Sequence, residues 1–119
     1  MVCSKVTGLG LTKTIYPFTP SVANTYECVT ESKISVPANK ILRITAACIY
    51  QNSYATGIKL VRGTTMDNGK TLAVSESDTN YNALPISTVC SFSIDQDIYV
   101  FIKCNSTGNT KIVLAYDII

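Results

Sequence analysis

Residues 75–85 read SESDTNYNALP and residues 50–57 read YQNSYATG. In the first stretch Asp78, Asn80 and Asn82 offer a carboxylate and side-chain amides, groups that hydrogen-bond to sugar hydroxyls. Tyr81 beside them has a ring able to stack on a pyranose face. Asn52 and Tyr54, next to Tyr50, repeat the combination in the second stretch. Both are candidate ligand-binding loops, since loops held on a rigid sheet often carry binding residues. The same residue types are also what any surface turn requires.

Other chemistry is sparse. The chain has no histidine, which removes the commonest general base and the commonest metal ligand. Asp95 and Asp97 stand two positions apart and would offer two oxygens to Ca²⁺ or a carboxylate pair for glycoside chemistry. A solvated turn between strands is the expectation there. No enzyme activity, metal or cofactor is expected. Asn105-Ser106-Thr107 matches a glycosylation sequon, which carries little weight without a secretory leader.

The five cysteines, at 3, 28, 48, 90 and 104, are odd in number, and none falls in a CxxC pair. Cys48, Cys90 and Cys104 lie inside apolar runs, where a free thiol behaves as a small hydrophobe; buried reduced thiols are expected. The N-terminus lacks the basic and then apolar pattern of a signal peptide. This points to a protein kept in a cytoplasm or released by another route such as lysis. Ten basic and eight acidic residues give a net charge of +2, without the clustered Lys and Arg that nucleic acid demands. No apolar run approaches the ~18 residues of a membrane span, so neither nucleic acid nor membrane insertion is expected.

These loops need elements to hold them, and the hydropathy has period 2. In KILRITAACIYQ the even positions Leu42, Ile44, Ala46, Cys48 and Tyr50 share one face of a strand. Ile98, Val100, Ile102 and Cys104 do the same in DIYVFIKC, as do Ile112, Leu114, Tyr116 and Ile118 near the C-terminus. Shorter strands are predicted in TYECVTESKISV, with Tyr26, Cys28, Ile34 and Val36 on one face, and in GIKLVR, TLAVSE and TVCSFSI. Turn chemistry separates them: Pro37 suits a type I turn, Asn68-Gly69 a two-residue hairpin, and Gly108 a left-handed position. Strands at this spacing predict an all-β domain, an antiparallel β-sandwich of seven or eight strands. Residues 1–20, with two glycines and two prolines, are expected to form an arm or an irregular edge strand ahead of a sandwich at 21–119.

The opposite faces of three strands are also apolar: Ala47 and Ile49, Tyr99 and Phe101, and Val113, Ala115 and Ile119. A simple sandwich turns that face to water. Only 15% of the residues are charged, against roughly 25% in an average globular protein. A second buried surface follows, most simply against other copies of the chain, with the residue 1–20 arm as an alternative cover. On this basis the C-terminal isoleucines are expected to be buried.

The strand ending SVPANK, the long ILRITAACIYQNS, the TGIKLVRG strand and the close DIYVFIKCNSTGNTKIVLAYDII together resemble the distal head domains of bacteriophage tail fibres. These are receptor-binding jelly rolls, similar to the tumour-necrosis-factor and C1q heads. The resemblance covers roughly residues 25–119 and rests on pattern and order. It implies a jelly-roll-like sandwich, a homo-oligomer with a trimer favoured, and adhesion without catalysis, the 50–57 and 75–85 loops touching a cell-surface glycan. It places the protein in the virion tail, or in the cytoplasm of a lysogenic bacterium before release. A carbohydrate-binding module of a secreted protein shares the fold class but would normally present exposed Trp, which this chain lacks. A particle assembly or decoration protein without glycan affinity is the other alternative.

Overall fold

The computed structural model describes residues 12–65, 70–77, 83–91 and 96–119, which form eight strands: β1 (Thr12–Phe18), β2 (Glu27–Val36), β3 (Ile41–Ile49), β4 (Ala55–Arg62), β5 (Thr71–Glu76), β6 (Ala83–Ser91), β7 (Gln96–Cys104) and β8 (Thr110–Ile118). They make two four-stranded sheets, β1-β8-β3-β6 (sheet A) and β2-β7-β4-β5 (sheet B), and every pairing is antiparallel. Apart from the β4–β5 hairpin, each connection crosses from one sheet to the other. This order is that of a jelly roll, an eight-stranded double-sheet closure of two Greek keys.

The period-2 pattern explains the core. Leu42, Ile44, Ala46 and Cys48 of β3 face Ile98, Val100, Ile102 and Cys104 of β7 within one buried cluster, joined by Ile58 and Leu60 of β4 and by Ile112 and Leu114 of β8. Burying a side chain of this size stabilises by roughly 1.5–3 kcal/mol. Tyr50 leaves the pattern: it lies past the end of β3 and is exposed. β6 begins at Ala83, so residues 83–85 are strand where the sequence suggested loop.

β2 changes parity midway. Val29 pairs with Val100 and Ile34 with Ile98, so Thr30–Lys33 stand opposite the single residue Tyr99. The fully buried Ser32 mends this gap. Its hydroxyl donates to the Val29 carbonyl at 2.5 Å and accepts from the Val100 amide at 2.7 Å. Consequently Val29, Ile34 and Val36 enter the core, while Cys28 is half-buried on the other face of the sheet.

Two turns differ from expectation. Lys40 N–H donates to the Pro37 carbonyl, with Asn39 at φ 66°, so Pro37 opens a turn of type II pattern and Asn39 supplies the positive φ. Gly108 does not need a left-handed backbone. A Cβ there would lie 2.9 Å from Asn52 Cβ and from the Asn52 carbonyl oxygen, so close approach of two loops is what requires glycine. The Asn68-Gly69 turn lies outside the described residues.

Residues 12–18, expected as an arm or irregular edge strand, form the regular edge strand β1, paired with β8 from Thr12↔Tyr116 to Phe18↔Thr110. Pro17 is tolerated because an edge strand has an unpaired side. At the other terminus Ile118 packs against the core, but Ile119 is more than half exposed. The final residue is held by its backbone, which exchanges both hydrogen bonds with Ile41.

Candidate functional site

The crossing connections gather the loops. β1, β3 and β7 end, and β2, β4, β6 and β8 begin, at one end of the sandwich, where β5 also ends. Segments 19–26, 50–54 and 105–109 therefore meet there, and the strand ends flanking residues 78–82 lie at the same end.

The described loops are tied together. Asn52 and Ser53 amides both donate to the Asn109 carbonyl, at 2.8 and 3.2 Å. Ser53 Oγ donates to the Gly108 carbonyl at 2.6 Å. The Tyr54 amide donates to Asn105 Oδ1 at 2.8 Å, and the Asn105 amide donates back to the Tyr54 carbonyl at 2.9 Å. Thr19 Oγ1 donates to Asn109 Oδ1 at 2.6 Å, and the Glu27 carboxylate accepts the Ser21 and Val22 amides. Above this base Tyr50 and Tyr54 stack, with centroids 4.3 Å apart and ring planes 23° from parallel. Tyr50, 42% exposed, presents an aromatic surface beside the exposed Asn52, Asn105 and Asn109. Preordered aromatic and amide groups of this kind suit polyhydroxylated ligands, because little ordering entropy remains to be lost on binding.

Of the sequence-predicted binding residues, Asn52 and Tyr54 lie in this surface. Asp78, Asn80, Tyr81 and Asn82 lie outside the described residues, as does Asp95. Asp97 is exposed on sheet B, where it accepts a hydrogen bond from Ser35 Oγ at 2.8 Å and lies 3.8 Å from Lys33 Nζ. Among the described residues no group of three or more His, Cys, Asp and Glu side chains is placed to hold a metal ion.

A second cluster adjoins the loop end, on the outer face of sheet B. The Tyr26 ring lies across Gly57, where a Cβ would meet its Oη at 2.1 Å. Its hydroxyl donates to Glu76 Oε2 at 2.5 Å. Lys59 and Lys103 ammonium groups sit 4.5 and 5.1 Å from the ring centroid, and Lys103 is 3.7 Å from Glu76. Burial, then the hydrogen bond to Glu76, pushes the Tyr26 phenol well above its ordinary pKa. The donated hydrogen bond from Tyr26, then the nearby Lys103, holds the Glu76 carboxyl low. Sequence reasoning passed over this cluster because its members come from three strands and the residue just ahead of β2; Gly57, interrupting a strand, was the available signal.

The predicted interface residues separate onto two opposite faces. Ala47, Ile49, Val113, Ala115 and Ile119 share the outer face of sheet A, where Ile15, Val113, Ala47 and Pro85 stand side by side in register. Tyr99 and Phe101 belong to the outer face of sheet B, so the seven residues cannot form one continuous patch. Phe101 is only 4% exposed within its own chain, between Cys28 and Lys59 in register, and needs no partner to cover it. The sequence signal missed Ile15 and Val89, both exposed on sheet A. On that face the half-buried Arg43 makes a two-pronged contact with the buried Asp117, Nε to Oδ1 at 2.9 Å and Nη2 to Oδ2. They border a shallow depression of about 180 Å³ lined also by Thr45, Ser87, Val89 and Ala115.

No protein-family model matches the chain, and no curated protein matches it. Among solved structures the chain is similar to the pre-peptidase C-terminal domain of a collagenase from Bacillus anthracis, at 11% identity and a TM-score of 0.48, over 89% of this chain and 88% of that one.

Proposed function

We propose that the protein is a non-enzymatic adhesion or structural domain of the phage tail-fibre-head kind, a homo-oligomer whose loop end meets a cell-surface glycan. The observation that supports this best is the Tyr50–Tyr54 stack on cross-bonded loops that also carry the exposed Asn52, Asn105 and Asn109. The sheets supply rigidity, the tyrosine surface stacks on a sugar ring, and the amides bond its hydroxyls. No bond is made or broken.

A glycan array probed with wild type, Tyr54→Ala and Tyr81→Ala tests it. Loss of an aromatic contact of about 1.4 kcal/mol weakens binding about tenfold, and that is the expected effect. Undiminished binding by both variants would remove these loops from the function. A second reading, a particle component without glycan affinity, draws on the apolar outer face of sheet A and predicts a blank array.

A further inference from the structure

The loop end of the sandwich is poor in charge. Segments 19–26, 50–54 and 105–109 hold no Asp, Glu, Lys or Arg. Residues 78–82, outside the described residues, add a single charge by sequence, the acid Asp78, and no cation. The lysines that border this end belong to the sheet faces. Lys103 lies 3.7 Å from Glu76 on the outer face of sheet B, where it and Lys59 approach the Tyr26 ring. Lys111 is exposed on the outer face of sheet A, beside Ile49 in register.

The backbone of these loops is already committed as well. Successive amides in a turn can cradle an anion without any cationic side chain. Here the Ser21 and Val22 amides both donate to the Glu27 carboxylate, at 2.9–3.2 Å, so the chain's own anion fills that cradle. The Asn52 and Ser53 amides are taken by the Asn109 carbonyl, the Tyr54 amide by Asn105 Oδ1 and the Gly108 amide by Ser106 Oγ. The polar groups these loops present are therefore neutral side-chain amides and hydroxyls, set around the exposed Tyr50.

We infer that the loop end selects uncharged sugars, its ligand being a glycan terminus without carboxylate, sulfate or phosphate on the contacted residue. The inference rests on the glycan reading above and narrows it to one ligand class. A neutral sugar offers what this surface can match: hydroxyls that pair with amides as donor or acceptor, and a C–H face for the Tyr50 ring. An acidic sugar would give up water from its charge with no cation of these loops to pair it, and burying a charge is costly unless it is paired and hydrogen-bonded. The Glu27 carboxylate bonded into the loops is itself negative and opposes a second anion.

The test is an array that pairs each neutral terminus (galactose, glucose or N-acetylglucosamine) with its sialylated, sulfated or uronic counterpart. Neutral members should bind, and their anionic counterparts about tenfold more weakly or not at all. For the best neutral oligosaccharide, Kd should change less than about twofold between about 50 and about 500 mM NaCl, since there is no ion pair to screen. Tyr50→Ala should weaken that binding about tenfold with an unchanged circular dichroism spectrum, and Lys111→Gln should leave it unaltered. Preference for an anionic member, a tenfold loss with salt or with Lys111→Gln, or indifference to Tyr50→Ala would each overturn the inference while leaving glycan binding in place. A blank array would instead remove the glycan reading, and this inference with it.

Discussion

Tyr26 shows how one side chain can link distant segments. Its ring occupies the space a Cβ would take at Gly57, its hydroxyl bonds Glu76, and two lysines approach the ring. The Glu76 carboxylate is stabilised in the folded state, so its folded pKa lies below the unfolded one. Its contribution is present above the unfolded value and is lost as pH falls through the folded value. Tyr26 is the opposite case: its raised folded pKa gives a contribution present below the ordinary tyrosine value of about 10 and lost as pH rises beyond it. Wild type should therefore exceed Tyr26→Phe in Tm at neutral pH, with the gap closing at both acid and strongly alkaline pH. A constant gap across pH in thermal melts would show that the phenol contributes packing alone. Beyond the glycine inside a strand at position 57, this was not legible in the sequence, where Tyr26 and Glu76 are fifty residues apart and only the fold brings them together.

Among the elements, β2 departs most from its pattern. The alternation through Tyr26, Cys28, Ile34 and Val36 looks continuous in the sequence, yet the register break at Thr30–Lys33 puts Val29 in the core and Cys28 outside it. Ser32 holds the break by taking both the Val29 carbonyl and the Val100 amide. Ser32→Ala would leave these buried backbone groups unpaired, at a cost of about 1–3 kcal/mol. The expected result is a lower denaturation midpoint together with faster hydrogen exchange at the Val100 amide; unchanged exchange there would mean that another group fills the gap. β3, β7 and β8 carry no such break, and their alternation alone was enough to place their core residues.

For the whole molecule, the packing of two four-stranded sheets sets which side chains water reaches. The same architecture governs the thiols. Cys48 and Cys104 are buried between the sheets, Cys48 Sγ lying 3.1 Å from Thr110 Oγ1. The Cys104 thiol is pushed up by its hydrogen bond to Cys48 and by burial. Cys28, half-buried on an outer face, is also raised by burial but has partial access to solvent. Since the thiolate is the nucleophile and access limits its reaction, alkylation of native protein followed by peptide mapping should label Cys28 before Cys48 or Cys104. Denaturant should remove the difference. Equal native rates would mean that the two sheets separate readily.

The sequence by itself determined that alternating strands would build a two-sheet β-sandwich, and which residues of the unbroken strands would fill it, because side-chain direction along a strand is a local property of the backbone. It also marked both tyrosine- and asparagine-bearing stretches, since turn chemistry is local too. Tertiary structure decided what depends on which strand lies beside which. It placed Tyr99 and Phe101 on the face opposite Val113 and covered Phe101 within its own chain. It brought Asn109 beside Asn52 and Asn105 beside Tyr54, and it set the exposed Ile15 and Val89 on the outer face of sheet A. Pairing order joins residues many positions apart, and no local periodicity encodes it.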